Sequence, residues 1–214
     1  MPLVRVESLT MSLDGYVAGT NQSLQQPMGE RGSTLHAWAF STRTFQQQVF
    51  GRAEGATGVD DDFAQRGFRN IGAWILGRNM FAHSRGPWTD DGWRGWWGDE
   101  PPYHVDTYIL THYAREPLVM EGGTTFHFVT GGIHEALERA RATAGDKDIR
   151  IGGGAATVRQ FLAAQLIDEM HVAISPVLLG AGESLFHGLD LPSLGYKVTT
   201  HVATPLATHV VFGR

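Results

Sequence analysis

The chain has 214 residues and a net charge of −5, with 42% hydrophobic and 18% charged residues. That is enough apolar material for a packed core, and a single α/β domain over residues 1–214 with a few long loops is expected. The acidic balance without a Lys/Arg run argues against nucleic acid or anionic membranes as partners, and the lack of cysteine excludes disulfides, thiolate metal sites and cysteine nucleophiles.

Leu3 to Leu13 reads as the first strand, with Val4, Val6 and Ser8 on one face and a sharp turn at Gly15. This start is expected to be a strand rather than a signal peptide. No apolar run reaches the ~20 residues needed to span a bilayer, so a cytoplasmic protein is expected. Residues 20–34 are polar and read as a loop. His36 to Phe50 reads as a helix, and Asp60 to Phe68 as a shorter one whose three leading acids complement the helix dipole. Ala73-Trp74-Ile75-Leu76 fits a buried strand ending at Gly77, and Arg78 to Ala82 a helical turn. Residues 84–104 form a long irregular segment carrying Trp88, Trp93, Trp96 and Trp97. So aromatic a segment should lid a cleft, sit at a dimer interface or anchor on the core.

Thr107 to Thr111 and Thr125 to Val129 read as strands. Thr130 is expected to cap a helix over 131–144 that buries Ile133, Leu137, Ala140 and Ala144. Ile149 to Ile151 is a strand followed by glycines and a helix with Val158, Phe161 and Leu162 on one face. Met170 to Ile174 is a further strand, and Tyr196 to Val202 with Thr208 to Phe212 a terminal hairpin. Alternating strands and helices predict a three-layer α/β/α domain on a mostly parallel central sheet, with a C-terminal antiparallel hairpin.

Three strand ends carry chemistry suited to phosphate. At Gly152-Gly153-Gly154-Ala155-Ala156-Thr157 a strand ends in three glycines and a helix begins at once. Missing side chains admit a ligand to the backbone, and the first helical turn leaves N–H groups free for an anion. The pattern is neither a Rossmann fingerprint nor a P-loop, because position 157 is Thr and no Gly-Lys-Ser/Thr follows. At Gly77-Arg78-Asn79-Met80 a forked cation stands beside a helix start. Thr111-His112 adds a hydroxyl and a ring at a third strand end. Ligands of open α/β sheets bind outside the carboxyl ends of the strands. No metal site is expected, since His134-Glu135 begins no HExxH.

These motifs, with Ser12-Leu13-Asp14-Gly15-Tyr16-Val17-Ala18 and the late runs Leu166 to Val172 and Pro176 to Gly182, resemble the dihydrofolate reductase superfamily. The resemblance is closer to the reductase domain of bacterial riboflavin-biosynthesis deaminase-reductases, and a stand-alone form of it is expected. It implies NADPH as hydride donor and a homodimer. By position, Gly77 to Met80 and Thr111-His112 would hold the adenosine and its 2′-phosphate, Gly152 to Thr157 the pyrophosphate, and the Val17 and Ala18 backbone the nicotinamide carboxamide. The implied substrate is a small pyrimidine or pterin-like molecule, and the implied activity is that of a 5-amino-6-(5-phosphoribosylamino)uracil reductase. Dihydrofolate reduction proper and a non-catalytic NADPH-binding module are the alternatives. Asp61 or Asp62 would supply a substrate-binding acid, against plain helix capping by the same residues. Asp14 is the other candidate, against a turn-forming Asp before Gly15.

Overall fold

The computed structural model describes residues 2–89 and 92–214; Asp90 and Asp91, inside the Trp-rich segment, lie outside the described residues, as does Met1. The strands are β1 (Val4–Ser12), β2 (Ile71–Gly77), β3 (Asp106–Leu110), β4 (Leu118–Val119), β5 (Thr125–Val129), β6 (Asp148–Ile151), β7 (Glu169–Ser175), β8 (Lys197–Ala203) and β9 (Thr208–Gly213). The helices are α1 (Ala37–Phe40), α2 (Arg43–Phe50), α3 (Val59–Phe68), α4 (Arg78–Phe81), α5 (Gly132–Ala144) and α6 (Ala155–Ala163). The described strands form one nine-stranded sheet in the order β4-β5-β3-β2-β6-β1-β7-β9-β8. From β5 to β7 neighbouring strands pair in parallel, and β4, β9 and β8 add antiparallel partners at the two sides.

Strand alternation assigns the two faces. Val4, Val6, Ile75, Ile151, Met170 and Val172 point to α5 and α6, where they meet Leu137, Ala140, Val158 and Phe161. On the opposite face, Trp74, Leu76, Ile109, Phe126 and Phe128 are covered by α4 and the Trp-rich segment through Phe81, Trp88 and Trp93. Further along that face Trp38, Phe63, Ala64, Ala173 and Val211 join α1 and α3 to β7 and β9. The two apolar patches are separated by a buried charged strip. Glu7 accepts from Arg5 at 2.9 Å and Arg66 at 3.2 Å, and Arg66 also reaches Glu169 at 2.6 Å.

Three local expectations are corrected. Strict alternation along β1 fails, because Ser8 takes φ +56° and the β1–β7 register shifts between Val6 and Leu9. The bulge turns Ser8 N–H toward His171 Nδ1 at 3.1 Å. The helix read over 36–50 is two helices, for Thr42 breaks it by adopting extended backbone and capping the N–H of Phe45. Thr130 does not cap α5; Gly131 is its N-cap, without a side-chain hydrogen bond. Among the described residues no helix is long and apolar enough to cross a membrane.

Candidate functional site

The parallel strands bring Gly77, Thr111 and Gly152 to one edge of the sheet. β2 ends where Gly77 N–H donates to Gly153 O at 2.7 Å. A side chain at Gly77 would place its Cβ 2.4 Å from Thr157 Oγ1, so the β2 end fits against the start of α6 only as glycine. Gly153 adopts φ +110°, and the Gly153–Gly154 peptide is cis. Gly154, the N-cap of α6, has open space where a Cβ would stand. Among the described residues, no hydrogen bond engages the backbone N–H of residues 153 to 157. That leaves a cradle of donors at the positive end of α6. Thr157 itself is buried, while Ala156 is exposed.

Next to this cradle Arg78 leaves the start of α4. Its Nη1 donates to Thr111 Oγ1 at 3.0 Å, and its guanidinium lies 3.2 Å from the centre of the Trp88 ring. Arg115 stands 5.0 Å from the same ring. Desolvation, followed by the nearby Arg115 charge, lowers the Arg78 pKa from its ordinary value. Arg78 Nε is buried without a hydrogen-bond partner among the described residues. The Arg78 guanidinium, forked and fixed between Thr111 and the Trp88 ring, is suited to an anion. His112, Asn79 and Met80 are exposed around this group, and the Asn79 carbonyl accepts from Trp96 Nε1 at 3.1 Å. Met80 borders Gly153, its Sδ 3.6 Å from where a Cβ on that residue would lie.

The turn after β1 forms the other wall. Val17 N–H donates to Glu183 O and Glu183 N–H to Ala18 O, both at 2.9 Å. A Cβ on Gly182 would fall 2.0 Å from Ala18 O, so this approach requires glycine. The Val17 carbonyl and the Ala18 N–H meet no hydrogen-bond partner among the described residues. Arg159 of α6 donates to Ser184 O and ties this wall to the glycine cradle. A cavity of about 280 Å³ opens between Gly19 to Gln22, Gly182, Glu183 and Arg85 of the Trp-rich segment.

The three acids occupy different surroundings. Asp14 is exposed; Ser12 Oγ donates to it at 2.5 Å, and it accepts the N–H groups of Leu179 and Gly180 at 3.1 and 2.7 Å. The Ser12 hydrogen bond and these backbone donors hold its pKa down at about 2. Asp14 thus clamps the 176–183 segment to the end of β1. Asp61 is buried and caps α2, accepting Thr44 N–H at 2.7 Å, while Gln65 reaches its other oxygen at 3.3 Å. Asp62 is exposed on α3. The neighbouring Asp60 carries the richer contacts: His209 Nε2 and Thr204 Oγ1 meet its Oδ1 at 2.8 and 2.9 Å.

Sequence reasoning missed Asp60 as an individual residue, and also Arg85, Arg159, His171 and His209. The two histidines had a signal: each sits at an inward position of an apolar strand, in Met170-His171-Val172 and Thr208-His209-Val210. Of the tryptophans, Trp88 and Trp93 anchor on the core through Phe81 and by donating to Tyr113 O and Phe81 O, whereas Trp97 is exposed.

Residues 3–212 match the model of the RibD C-terminal domain, and the chain belongs to that family. A putative riboflavin biosynthesis protein from Shewanella sp. PV-4 superposes with a TM-score of 0.59 at 22% identity, covering 100% of this chain and 99% of that one. The deaminase/5-amino-6-(5-phosphoribosylamino)uracil reductase of Thermotoga maritima gives 0.54 at 14% identity over 99% of this chain but 56% of its own. A dihydrofolate reductase from Enterococcus faecalis, complexed with NADP(H), gives 0.52 at 13% identity, covering 100% of this chain and 96% of that one. The fold is therefore dihydrofolate-reductase-like. The uncharacterized protein YyaP of Bacillus subtilis (strain 168) is 37% identical over 59 residues, a stretch covering 28% of this chain and 31% of YyaP.

Proposed function

We propose that the chain is an NADPH-dependent reductase acting on a pyrimidine or pterin-type substrate, of the 5-amino-6-(5-phosphoribosylamino)uracil reductase class. The observation that carries this reading is the cradle of free N–H groups at 153–157 beside the Arg78–Thr111 pair. A nicotinamide dinucleotide fits the edge part by part. The diphosphate suits the start of α6, where Gly154 leaves room. The 2′-phosphate suits Arg78 and Thr111. The free Ala18 N–H and Val17 carbonyl present one donor and one acceptor, the complement of a carboxamide. When bound, the cofactor supplies the hydride. The chain's own residues orient the reactants and exclude water, with Arg85 at the cleft mouth available to an anionic substrate group.

Dihydrofolate reduction proper is disfavoured at one point. Of the two acids expected to grip a pterin edge, Asp61 is buried and already accepts from Thr44 and Gln65, and Asp62 is exposed on α3.

Titration with NADPH, read by tryptophan fluorescence and melting temperature, tests the proposal. Saturable binding and a raised melting temperature are expected. Arg78→Ala should weaken NADPH by about 10- to 100-fold and NADH much less. Absence of any response at saturating NADPH overturns the reading. Size-exclusion with light scattering tests the implied homodimer, a 23.4 kDa species counting against it.

A further inference from the structure

The chain carries no cysteine, so its six methionines hold all of its sulfur. Among the described residues, Met11, Met120 and Met170 are buried and Met28 is half-buried. Met80 is 38% exposed and is the most open of them. No hydrogen bond engages its Sδ among the described residues, so the sulfur lone pairs are free.

Its neighbours in α4 fix its place. Arg78 donates to Thr111 Oγ1 at 3.0 Å, and the Asn79 carbonyl accepts from Trp96 Nε1 at 3.1 Å. Phe81 is buried against Phe126 and Phe128, with ring centres 5.0 and 5.2 Å apart. α4 cannot shift without breaking one of these contacts, and Met80 is thereby held over the glycine cradle. Beyond the chain neighbours of Gly153, the three atoms nearest to where its Cβ would stand all belong to Met80. They are Sδ at 3.6 Å, and Cγ and Cε at 3.9 Å. The cradle beneath is the row of N–H groups at 153 to 157, which no hydrogen bond engages among the described residues. The most exposed described sulfur thus lies against the donors suited to a diphosphate.

We propose that Met80 is a site of oxidation by peroxide, and that its sulfoxide closes the cradle to the dinucleotide. In this step a lone pair on Sδ attacks one peroxide oxygen, and the S–O bond forms as the O–O bond breaks. Sulfur is oxidised and the peroxide reduced; the departing hydroxide takes the proton of the transferred oxygen and leaves as water. A thioether is a weak acceptor, whereas a sulfoxide is polar and carries its negative end on oxygen. Against the cradle, that oxygen competes with phosphate oxygens for the same N–H donors and opposes an anion. A methionine sulfoxide reductase returns the thioether. This control rests on the diphosphate occupying the cradle, as the reductase reading has it.

The test treats the whole chain with dilute hydrogen peroxide, locates the added oxygen by peptide mass, and titrates NADPH by calorimetry before and after. Oxygen should add at Met80 ahead of the buried Met11, Met120 and Met170, and NADPH affinity should fall at least ~10-fold. Methionine sulfoxide reductases of both epimer specificities should restore the affinity. Bound NADPH should in turn slow oxidation at Met80. Met80→Leu should bind NADPH equally before and after peroxide, whatever its own affinity, which assigns the loss to this sulfur. Met28→Leu removes the other accessible described sulfur and should keep the full response; with the enzymatic reversal, it decides the matter if Met80→Leu does not fold. Three results overturn the proposal: undiminished NADPH affinity in the chain oxidised at Met80, an equal loss in Met80→Leu, or a response that vanishes in Met28→Leu. Failure of the untreated chain to bind NADPH overturns the reductase reading, and this control with it.

Discussion

The glycine-bearing edge at β2, β3 and β6 and the histidine-bearing core beneath α3 are organised in opposite ways. At the edge, backbone groups are left without partners and side chains are missing where a ligand would approach. Beneath α3, every ring nitrogen of His171 and His209 is engaged and the rings are sealed by Phe63 and Trp38. The first region can bind because it is unfinished. The second can hold one carboxylate in place because it is complete. A fold can therefore store function either in groups it leaves open or in groups it fixes, and the two respond differently to substitution.

The largest expected effect breaks the completed region. His209→Leu leaves the fully buried His171 Nε2–H without its acceptor and the partly buried Asp60 Oδ1 without one donor. A loss of about 3 kcal/mol in urea unfolding is expected, and a loss below ~1 kcal/mol would mean that the chain matters little to stability.

Acid acts on the same region. His171 is held neutral in the fold, its pKa lowered from 6.5 to about 2, and burial lowers His36 to about 4. The unfolded chain binds these protons first, so the stability they contribute is present above pH ~6.5 and is lost as pH falls below it. Between pH 7 and 5 His171 alone should cost about 2 kcal/mol. Denaturant midpoints across that window check this, and His171→Asn should flatten the slope.

At the open edge the effect should fall on binding. Gly154→Ala places its Cβ in open space, so stability should fall by no more than the ~1 kcal/mol of a poorer N-cap while NADPH affinity drops at least ~10-fold. Gly77→Ala, which meets Thr157 Oγ1 at 2.4 Å, should harm both properties. Equal behaviour of the two variants would erase the distinction between open and packed glycines at this edge.

The smallest effect is expected at Asp14. Asp14→Ala releases the Leu179 and Gly180 N–H groups and the Ser12 hydroxyl at the end of β1, and it removes no apolar core contact. Hydrogen exchange should quicken at residues 179 and 180, with the rest of the protection pattern unchanged.

Much of this molecule was legible from local pattern. Alternating apolar residues and the positions of glycine after Leu76 and Ile151 specify strands that end where helices begin, because those signals act over a few residues. The family resemblance in the same motifs agrees with the fold and with the match over residues 3–212. The break at Thr42, the bulge at Ser8 and the cap of α5 were not legible, since each depends on partners the local sequence does not name.

The sequence by itself determined the mostly parallel sheet and put the phosphate-friendly residues at its strand ends, since strand periodicity and glycine conformational freedom are local properties. Only the tertiary structure decided among the acids. Asp60, Asp61 and Asp62 are consecutive and chemically identical, yet one meets two histidines in line, one caps a helix and one faces solvent. Helical geometry turns each about 100° from the last, and what each then meets is set by strands and helices far away in the chain.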